Sequence, residues 1–503
     1  MLKKIPFCVN WRDKQEESKA LGEVPTLIGY LTMAMKITPN LERACAFASE
    51  QLGGKMGQDL RKKMSECHMR RYSSADEALL KFSQCWERAC PELGRAIYLI
   101  RSSVSELRKS SREMTLDRSL QLVLHGARRR VREFSSKISP PTLLIYSLGI
   151  LLPLVFVVIL PVLSVIELRV GLPQIIFIYC FLLPLLVYLL SNNVLSRRPA
   201  THQPPNVSIG ASQLHSALMA IAFSIPALAI CFWLDASPDL KALAVLWAIV
   251  LSISAFLYFT SVQAYLHREE IVQMEGEFSD ALVQLGNRIS EERPAEEALG
   301  HVAATMGGSK LAGVFMTAAS NVNLGGMGLR AAFFDETRGA LRQVNSNMIR
   351  GTLKILVDLV ERNTRAAGEA ILRTAQHLHE LKEAEEEMKR SMAEMVTSMR
   401  SVAIFFAPLI TSIAARLQGL LSEKVASLEF FLSAEISPPA FLFVLGLYII
   451  ILTIILINYV VEIELGEDGL AKRMAFASAL PVSMVVFTAG AILGGQVVAF
   501  LLG

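Results

Sequence analysis

The sequence predicts an all-α, polytopic membrane protein with about seven transmembrane helices and two duplicated cytoplasmic helical-bundle domains. Three observations support this fold class. Of the 503 residues, 52% are hydrophobic and only 19% are charged, a composition between those of soluble and fully membrane-embedded proteins. The apolar residues gather in long runs, separated by two charged blocks of about 140 residues each, which is enough for each block to bury a core. One pattern of residues also occurs twice, at a separation of 254 positions.

Seven apolar runs are long enough to cross a bilayer, since a spanning helix needs about 20 residues. The fifth run is the weakest because it contains Arg416, which lies close enough to the end of the run to place its charge among the headgroups. The runs are 142–166, 171–190, 214–234, 240–266, 401–421, 439–461 and 474–503. The predicted domains are a helical domain at 1–141, transmembrane helices at 142–190, a loop at 191–213, transmembrane helices at 214–266, a second helical domain at 267–400 and three transmembrane helices at 401–503.

The distribution of Lys and Arg predicts which loops face the cytoplasm. A basic segment, 125–137, precedes the first run, and Arg197 and Arg198 lie between the second and third runs. The first 20 residues contain no apolar stretch of signal-peptide length, so we expect a cytoplasmic N-terminus. Both helical domains are then cytoplasmic, and seven crossings of the cytoplasmic membrane leave the C-terminus outside. The acidic loop 462–473 fits this topology least well, because only alternation places it inside.

The two helical domains carry opposite net charge. Residues 1–140 contain 26 Lys and Arg against 16 Asp and Glu, or +10, whereas residues 266–400 contain 16 against 20, or −4. The first domain is therefore suited to anionic lipid headgroups or to an acidic partner surface. Nucleic acid is not predicted as a partner, since no nucleic-acid-binding motif accompanies the charge.

The segment Gly276–Gly308 repeats the pattern of Gly22–Gly54, and both segments predict two helices joined by a turn that contains proline. We expect each proline to take the first helical position and each Gly-Gly pair to end the second helix. The acidic residues near each proline then stabilise a helix start, and no catalytic role is predicted for them. A further proline recurs within an apolar run of each copy, at a separation of 255. The repeat residues are Pro39, Gly53, Gly54 and Pro153 in the first copy and Pro294, Gly307, Gly308 and Pro408 in the second.

Each copy is expected to end in a long helix that enters the membrane. In the second copy, five apolar residues of this helix step by seven, four, three and four, which is a heptad-like seam. The pattern favours packing within the domain over a coiled coil between two chains, and a homodimer stays open. The seam consists of Leu381, Met388, Met392, Met395 and Met399.

The sequence contains none of the motifs that would indicate catalysis, a cofactor or a metal. It has no Walker A sequence, no complete dinucleotide-binding loop, no H-E-x-x-H and no G-x-S-x-G. Its seven cysteines form no C-x-x-C pair and are expected to be free thiols. We therefore predict no enzyme activity, no cofactor and no metal site. Surface or packing roles are expected for His68, His125, His301, His377 and His379.

Two copies of a helical domain, each leading into a proline-bearing span, resemble the type II secretion system F domain family. The matching residues are 22–54, 276–308, Pro153-Leu154 and Pro408-Leu409. The additional spans are similar to those of its archaeal branch, the membrane platform proteins of archaella and archaeal type IV pili. The resemblance implies a platform in the cytoplasmic membrane that docks on a hexameric secretion ATPase and assembles pilin or archaellin subunits. It also implies that the chain itself does not hydrolyse ATP.

Partner contacts are expected at two charged segments. The basic segment would meet an acidic surface of the ATPase; the alternative is that it only orients the chain and contacts membrane lipid. It consists of Arg128, Arg129, Arg130 and Arg132. The acidic segment of the second domain consists of Glu385, Glu386 and Glu387.

Two other classes of function make different demands on the sequence. A transporter or exporter component would carry ionisable residues at mid-membrane, and the apolar runs contain almost none. A membrane-bound signalling enzyme would need a constellation of catalytic residues, which the sequence does not display.

Overall fold

A computed structural model describes residues 20–165, 171–196, 198, 213–233, 237–342, 344–361, 364–426 and 437–502. Within these residues every regular element is a helix, which confirms the all-α fold class. The chain divides into two compact units. The charged unit comprises Met1–Glu133, Pro199–Asn206 and His267–Arg390, and the apolar unit comprises Phe134–Arg198, Val207–Leu266 and Ser391–Gly503. Both predicted helical domains contribute to the charged unit.

The charged unit is a bundle of helices from two parts of the chain, here called its first half (20–133) and its second half (267–390). The first half contains α1 (Val24–Ile37), α2 (Leu41–Gln51), α3 (Lys55–His68), α4 (Ala75–Trp86), α5 (Pro91–Ser103) and most of α6 (Lys109–Tyr146). The next helices are α7 (Leu152–Val165), α8 (Leu172–Ile176), α9 (Leu183–Leu195) and α10 (Gln213–Trp233), all in the apolar unit. The second half contains the end of α11 (Pro238–Ser290), α12 (Ala295–Thr305), α13 (Lys310–Asn323), α14 (Leu329–Phe334), α15 (Asn347–Val360) and most of α16 (Thr364–Ser401).

Side-chain caps start several of these helices. Asn40 accepts a hydrogen bond from Arg43 N at 3.1 Å and so caps α2, and Ser346 accepts one from Ile349 N at 3.1 Å and caps α15. The prediction that each proline takes the first helical position is wrong. Pro39 precedes the cap residue Asn40, and Pro294 is itself the residue before the first turn of α12. Asn40 and Pro294 have extended ψ angles of 111° and 141°, so neither has entered the helix.

The core of the first half contains apolar side chains from all six of its helices. Leu27, Ile28 and Leu31 of α1 are fully buried, as their helical spacing predicts. The second half completes this core, because Ala384 of α16 lies within it and Leu381 of the same helix packs against it. Of the other seam residues, Met392 and Met399 are buried and Met388 and Met395 are half-buried. The choice of packing within the domain over a coiled coil between two chains stays a prediction.

The apolar unit contains three further helices, α17 (Ala407–Ala426), α18 (Pro438–Leu465) and α19 (Gly469–Leu502). It also contains three π-helical turns, π1 (Ser147–Leu151), π2 (Phe177–Leu182) and π3 (Val402–Phe406). Large apolar side chains such as Phe177 and Phe405 remain about half exposed on this unit, which suits contact with lipid.

Six stretches of helix in the described residues are long and apolar enough to cross a membrane, so the chain is a multi-pass membrane protein. They correspond to the first, second, fourth, fifth, sixth and seventh predicted runs. The third run coincides with α10, whose described apolar part, Ala217–Pro226, is shorter than a span. The count of seven stays a prediction.

Element lengths recur along the chain. Helices α2 and α12 both have 11 residues and start 254 positions apart, and α3 and α13 both have 14 residues and start 255 apart. Helices α6 and α16 both have 38 residues, start 255 apart, and lead into the five-residue turns π1 and π3. Pro153 and Pro408 then occupy the second position of α7 and of α17.

Three segments meet at one end of the apolar unit. Arg198 donates from Nε to the Ile463 carbonyl at 2.9 Å and so covers the C-terminal end of α18, and Arg400 pairs with Glu464 at 2.8 Å. The C-terminal end of α18, Arg198 and the end of α16 therefore lie at one end of the apolar unit. This is the grouping that alternation of the spans requires.

The last span packs against α17. A side chain at Gly490 would overlap the Ser412 hydroxyl, and one at Gly494 would lie 3.6 Å from the Ile413 Cα, so the G-x-x-x-G pair makes a close helix contact within the chain. Arg416 of α17 is also held there: its Nε donates to the Ala491 carbonyl at 2.9 Å and its Nη1 pairs with Asp239. Arg416 thus has protein partners on two other helices.

Candidate functional site

The basic segment on α6 packs against the start of α5. Arg129 Nη2 lies 2.9 Å from Glu92 Oε1, and Arg130 Nη1 lies 3.0 Å from Glu92 Oε2. Glu92 is in the first turn of α5 and its side chain is only 12% exposed. Gly126 on α6 makes room for it, since a Cβ there would approach the Glu92 Cγ to 2.8 Å. Two arginines therefore share one carboxylate of the same half, which offsets one of their two positive charges.

The other two arginines pair with the second half. Arg128 Nε lies 2.9 Å from Glu387 Oε2, and Arg132 Nη2 donates to Glu387 Oε1 at 2.6 Å. The structure thus brings one member of the acidic segment onto the basic segment. Glu385 and Glu386 instead pair within α16, with Lys389 at 2.9 Å and Arg390 at 3.3 Å.

Charged contacts between α6 and α16 continue away from this cluster. Lys109 pairs with Glu369 at 3.3 Å, and Glu113 pairs with Arg373. Gln121 donates to Glu380 at 3.2 Å. The paired residue numbers rise together on the two helices, so α6 and α16 run parallel. Some of the opposite charges of the two halves are therefore paired with each other across α6 and α16, and these ion pairs join the halves.

The four arginines differ in exposure. The side chains of Arg129 and Arg132 are each 68% exposed, whereas those of Arg128 and Arg130 are about one-quarter exposed, at 24% and 25%. A guanidinium has five N–H donors, so an arginine that contacts one carboxylate retains donors for a second anion. Arg129 and Arg132 are consequently the two members best placed to meet lipid phosphate or an acidic partner.

Glu23 and Glu277, which occupy matching positions in the repeated segments, contact the start of the helix that follows each Gly-Gly pair. Glu23 Oε2 accepts a hydrogen bond from Met56 N at 3.2 Å, in the first turn of α3. Burial raises the pKa of the Glu23 carboxyl, an effect that backbone donors, with Met56 first, partly offset. A Cβ at Gly54 would overlap this carboxylate, so glycine is needed there for space. Glu277 lies within hydrogen-bond reach of the Ser309 hydroxyl, and Ser309 caps α13.

In the second glycine pair, Gly307 and Gly308, glycine is needed at Gly308 for backbone conformation and not for space. Gly308 has φ of +93°, a conformation that favours glycine, while the space around it is open. Gly53 and Gly307 have no atom in contact with an added Cβ, apart from the Ala304 carbonyl at 3.7 Å from Gly307. Each pair was predicted to end the second helix. Gly307 and Gly308 do follow the end of α12, but Gly54 is the cap residue at the start of α3.

One histidine is part of the contact between halves. His377 on α16 is buried, and its Nε2 lies 3.1 Å from the Gly29 carbonyl and 3.4 Å from the Thr32 hydroxyl of α1. His301 lies 3.1 Å from an Arg288 nitrogen. Both positions agree with the predicted packing or surface roles for the histidines.

Sequence reasoning missed two tyrosines in the apolar unit. Pro153 has no N–H, so the carbonyl four residues earlier, Gly149, lacks its α-helical donor. The Tyr448 hydroxyl of α18 donates to that carbonyl, and the Tyr179 hydroxyl donates to the Pro153 carbonyl at 2.8 Å. The two rings meet edge to face with centroids 5.7 Å apart. Buried hydroxyls inside apolar runs are a signal, but their partner follows only from the helix packing.

Among the residues that the structure describes, no group of three or more His, Cys, Asp or Glu side chains is arranged to hold a metal ion. Comparison of the chain with family models, curated proteins and solved structures finds no match. The resemblance to the F domain family therefore depends on the residues and spacings of this chain alone.

Proposed function

We propose that the chain is the integral-membrane platform of an archaeal type IV pilus-like or archaellum filament machine, with two F-type copies. One observation carries the proposal. A 38-residue helix, a five-residue π turn and a proline-bearing span follow one another twice, 255 positions apart. Both long helices begin in the charged unit and continue into the apolar unit.

The proposed duplication also predicts an odd number of spans. In this proposal, each copy has three spans after its long helix. They are α7, the stretch from α8 to α9, and α10 in the first copy, and α17, α18 and α19 in the second. Three crossings leave the chain on the opposite side of the membrane. The apolar part of α11 then returns it, so that the second helical segment lies on the same side as the first. Seven spans follow from this arithmetic.

In this function, the charged unit receives movement from a hexameric secretion ATPase. The ionic contacts between α6 and α16 join the two copies, so force applied to either copy reaches both. Pilin or archaellin subunits would be lifted from the bilayer beside the apolar unit, and anionic lipid would meet the exposed arginines. Hydrolysis is left to the ATPase, in keeping with the missing nucleotide-binding motifs.

The proposed function is tested by deleting the gene and by purifying the tagged chain in mild detergent. We expect the deletion to abolish surface filaments while pilin-like subunits remain in the membrane. We also expect a Walker A-bearing hexameric ATPase to copurify, identified by mass spectrometry. Filaments that persist, together with solute uptake by the purified chain in liposomes, would favour the transporter class.

A docking role for the basic segment is separable from its internal pairing with Glu92. The reversal Arg129→Glu with Arg130→Glu removes the positive charge and also breaks the two contacts to Glu92. Adding Glu92→Arg restores the contacts with the opposite sign. If the arginines bind the ATPase, both variants lose ATPase capture; if they serve the fold, the triple variant regains it. Membrane insertion of both variants is the control.

A further inference from the structure

The two proline-bearing turns of the apolar unit have equivalent positions in the chain. Pro153 and Pro408 each follow a π-helical turn and each remove an N–H from the helix. The carbonyls that lose an α-helical donor are those of Gly149 and Ile404. A helix that lacks such a bond bends more easily at that point unless another group takes its place.

The first turn is fastened by directional bonds. Tyr448 donates to the Gly149 carbonyl and Tyr179 donates to the Pro153 carbonyl, and both rings are buried. Gly149 also lies close to neighbouring helices, since a Cβ there would be 3.1 Å from Leu452 and 3.6 Å from Val187. These contacts fix π1 against α18, π2 and α9.

In the part of the chain that the structure describes, no side chain of another helix donates to a carbonyl of the second turn. Among the described residues, the side chains that donate to a backbone carbonyl of 402–410 are Thr411, to Ala407, and Ser412, to Leu409, and both belong to α17 itself. The side chains of Phe405 and Phe406 are 51% and 54% exposed. The turn π3 does contact α18 and α19, but apolar contacts are not directional and allow small shifts.

We infer that the apolar unit has one fixed and one movable proline turn: π1 is locked by Tyr448 and Tyr179, and π3 is the point at which the chain bends. This inference concerns the apolar unit and does not depend on the proposed function. If that function holds, the second copy is the one whose span changes shape during subunit assembly.

Hydrogen–deuterium exchange of the full-length chain in lipid nanodiscs tests the inference. We expect the amides of 402–410 to exchange roughly fivefold faster than those of 147–155, the factor associated with one net hydrogen bond. Tyr448→Phe keeps the ring but removes the donor, and should raise exchange at 147–155 severalfold, towards the level of 402–410.

Tyr459→Phe is the matched control. Tyr459 is on the same helix as Tyr448, and its hydroxyl lies 3.2 Å from the Thr142 hydroxyl of α6, five residues before π1 begins, and not at a carbonyl of the turn. This variant should leave exchange at 147–155 unchanged. If Tyr448→Phe does not fold, Tyr179→Phe provides the same readout. The comparison of exchange at 402–410 with exchange at 147–155 in the wild-type chain needs no variant.

Equal exchange at the two turns in the wild-type chain would overturn the inference, and so would an unchanged rate at 147–155 in both tyrosine variants. Failure of the proposed function would look different. The chain would then capture no secretion ATPase, while the exchange rates of the two turns would still differ.

Discussion

In the first half of the charged unit, Glu23 reaches the start of α3 directly, through Met56 N; in the second half, Glu277 reaches the hydroxyl of Ser309, the cap of α13. The connection from α2 to α3 contains three residues, 52–54, and that from α12 to α13 contains four, 306–309. The helices on either side have the same lengths. The two connections therefore join helices of equal lengths through different local chemistry.

The extra residue explains which glycines are needed. In the short connection, Gly54 must leave space for the Glu23 carboxylate and Gly57 must leave space for the Leu52 carbonyl. In the long connection, glycine is needed for the backbone conformation of Gly308, whose φ of +93° is one that other residues rarely adopt. At the position that matches Gly57, the second half has Ala312. A one-residue insertion thus replaces a requirement for space by a requirement for backbone conformation.

The largest effect is expected at Gly57. Its substitution by Ala forces a methyl group onto the Leu52 backbone, and we expect the free energy of unfolding to fall by roughly 1–3 kcal/mol. The reverse change in the second half, Ala312→Gly, should cost at most about 1 kcal/mol, the helix penalty of glycine. Denaturant unfolding of the full-length chain in detergent measures both. Equal losses in the two variants would show that the shorter connection is not the cause.

An intermediate effect is expected where the halves meet. Glu387→Arg places like charge against Arg128 and Arg132, and should lower the free energy of unfolding by about 1 kcal/mol, because these side chains are partly exposed. Adding Arg132→Glu should recover part of the loss. Glu386→Arg, which breaks only the pair with Arg390 in the same helix, should cost about 0.3–0.5 kcal/mol.

A double-mutant cycle at low salt measures this coupling. No recovery in the Glu387→Arg, Arg132→Glu variant would mean that the pair does not join the two halves. Coupling that survives high salt would point to a contact other than the exposed ion pair.

The smallest effect is a pH dependence at Glu23. Burial raises the pKa of this carboxyl above its usual value of 4.5 in the folded chain. The folded state therefore binds the proton more tightly than the unfolded state does, so the stabilisation is complete below pH 4.5 and is lost as pH rises through the folded pKa. Glu23→Gln cannot ionise and should remove this part of the pH dependence.

The measurement is thermal unfolding of the wild-type chain and of Glu23→Gln between pH 4 and 8, with Glu277→Gln as the matched variant of the second half. The difference between wild type and Glu23→Gln should shift in favour of the variant as pH rises. A constant difference over this range would contradict the assigned cause.

Several features could be read from the sequence because they depend on neighbouring residues. The six helices that are long and apolar enough to span a membrane follow from long apolar runs, and the burial of Leu27, Ile28 and Leu31 follows from helical spacing. The positions of Pro39 and Pro294 were misjudged by one or two residues, since helix starts are set by capping geometry as well as by residue type. The partners of the basic segment could not be predicted, because Glu387 lies more than 250 residues from Arg128 and Arg132.

The sequence by itself determined the helical, membrane-spanning class and the spacing of its two similar segments, since hydropathy and helix signals act within about 20 residues. Only the tertiary structure decided how opposite charges of α6 and α16 pair, and which proline turn receives the tyrosine hydroxyls. Those contacts depend on the relative register of helices distant in the chain, and local propensity does not encode that register.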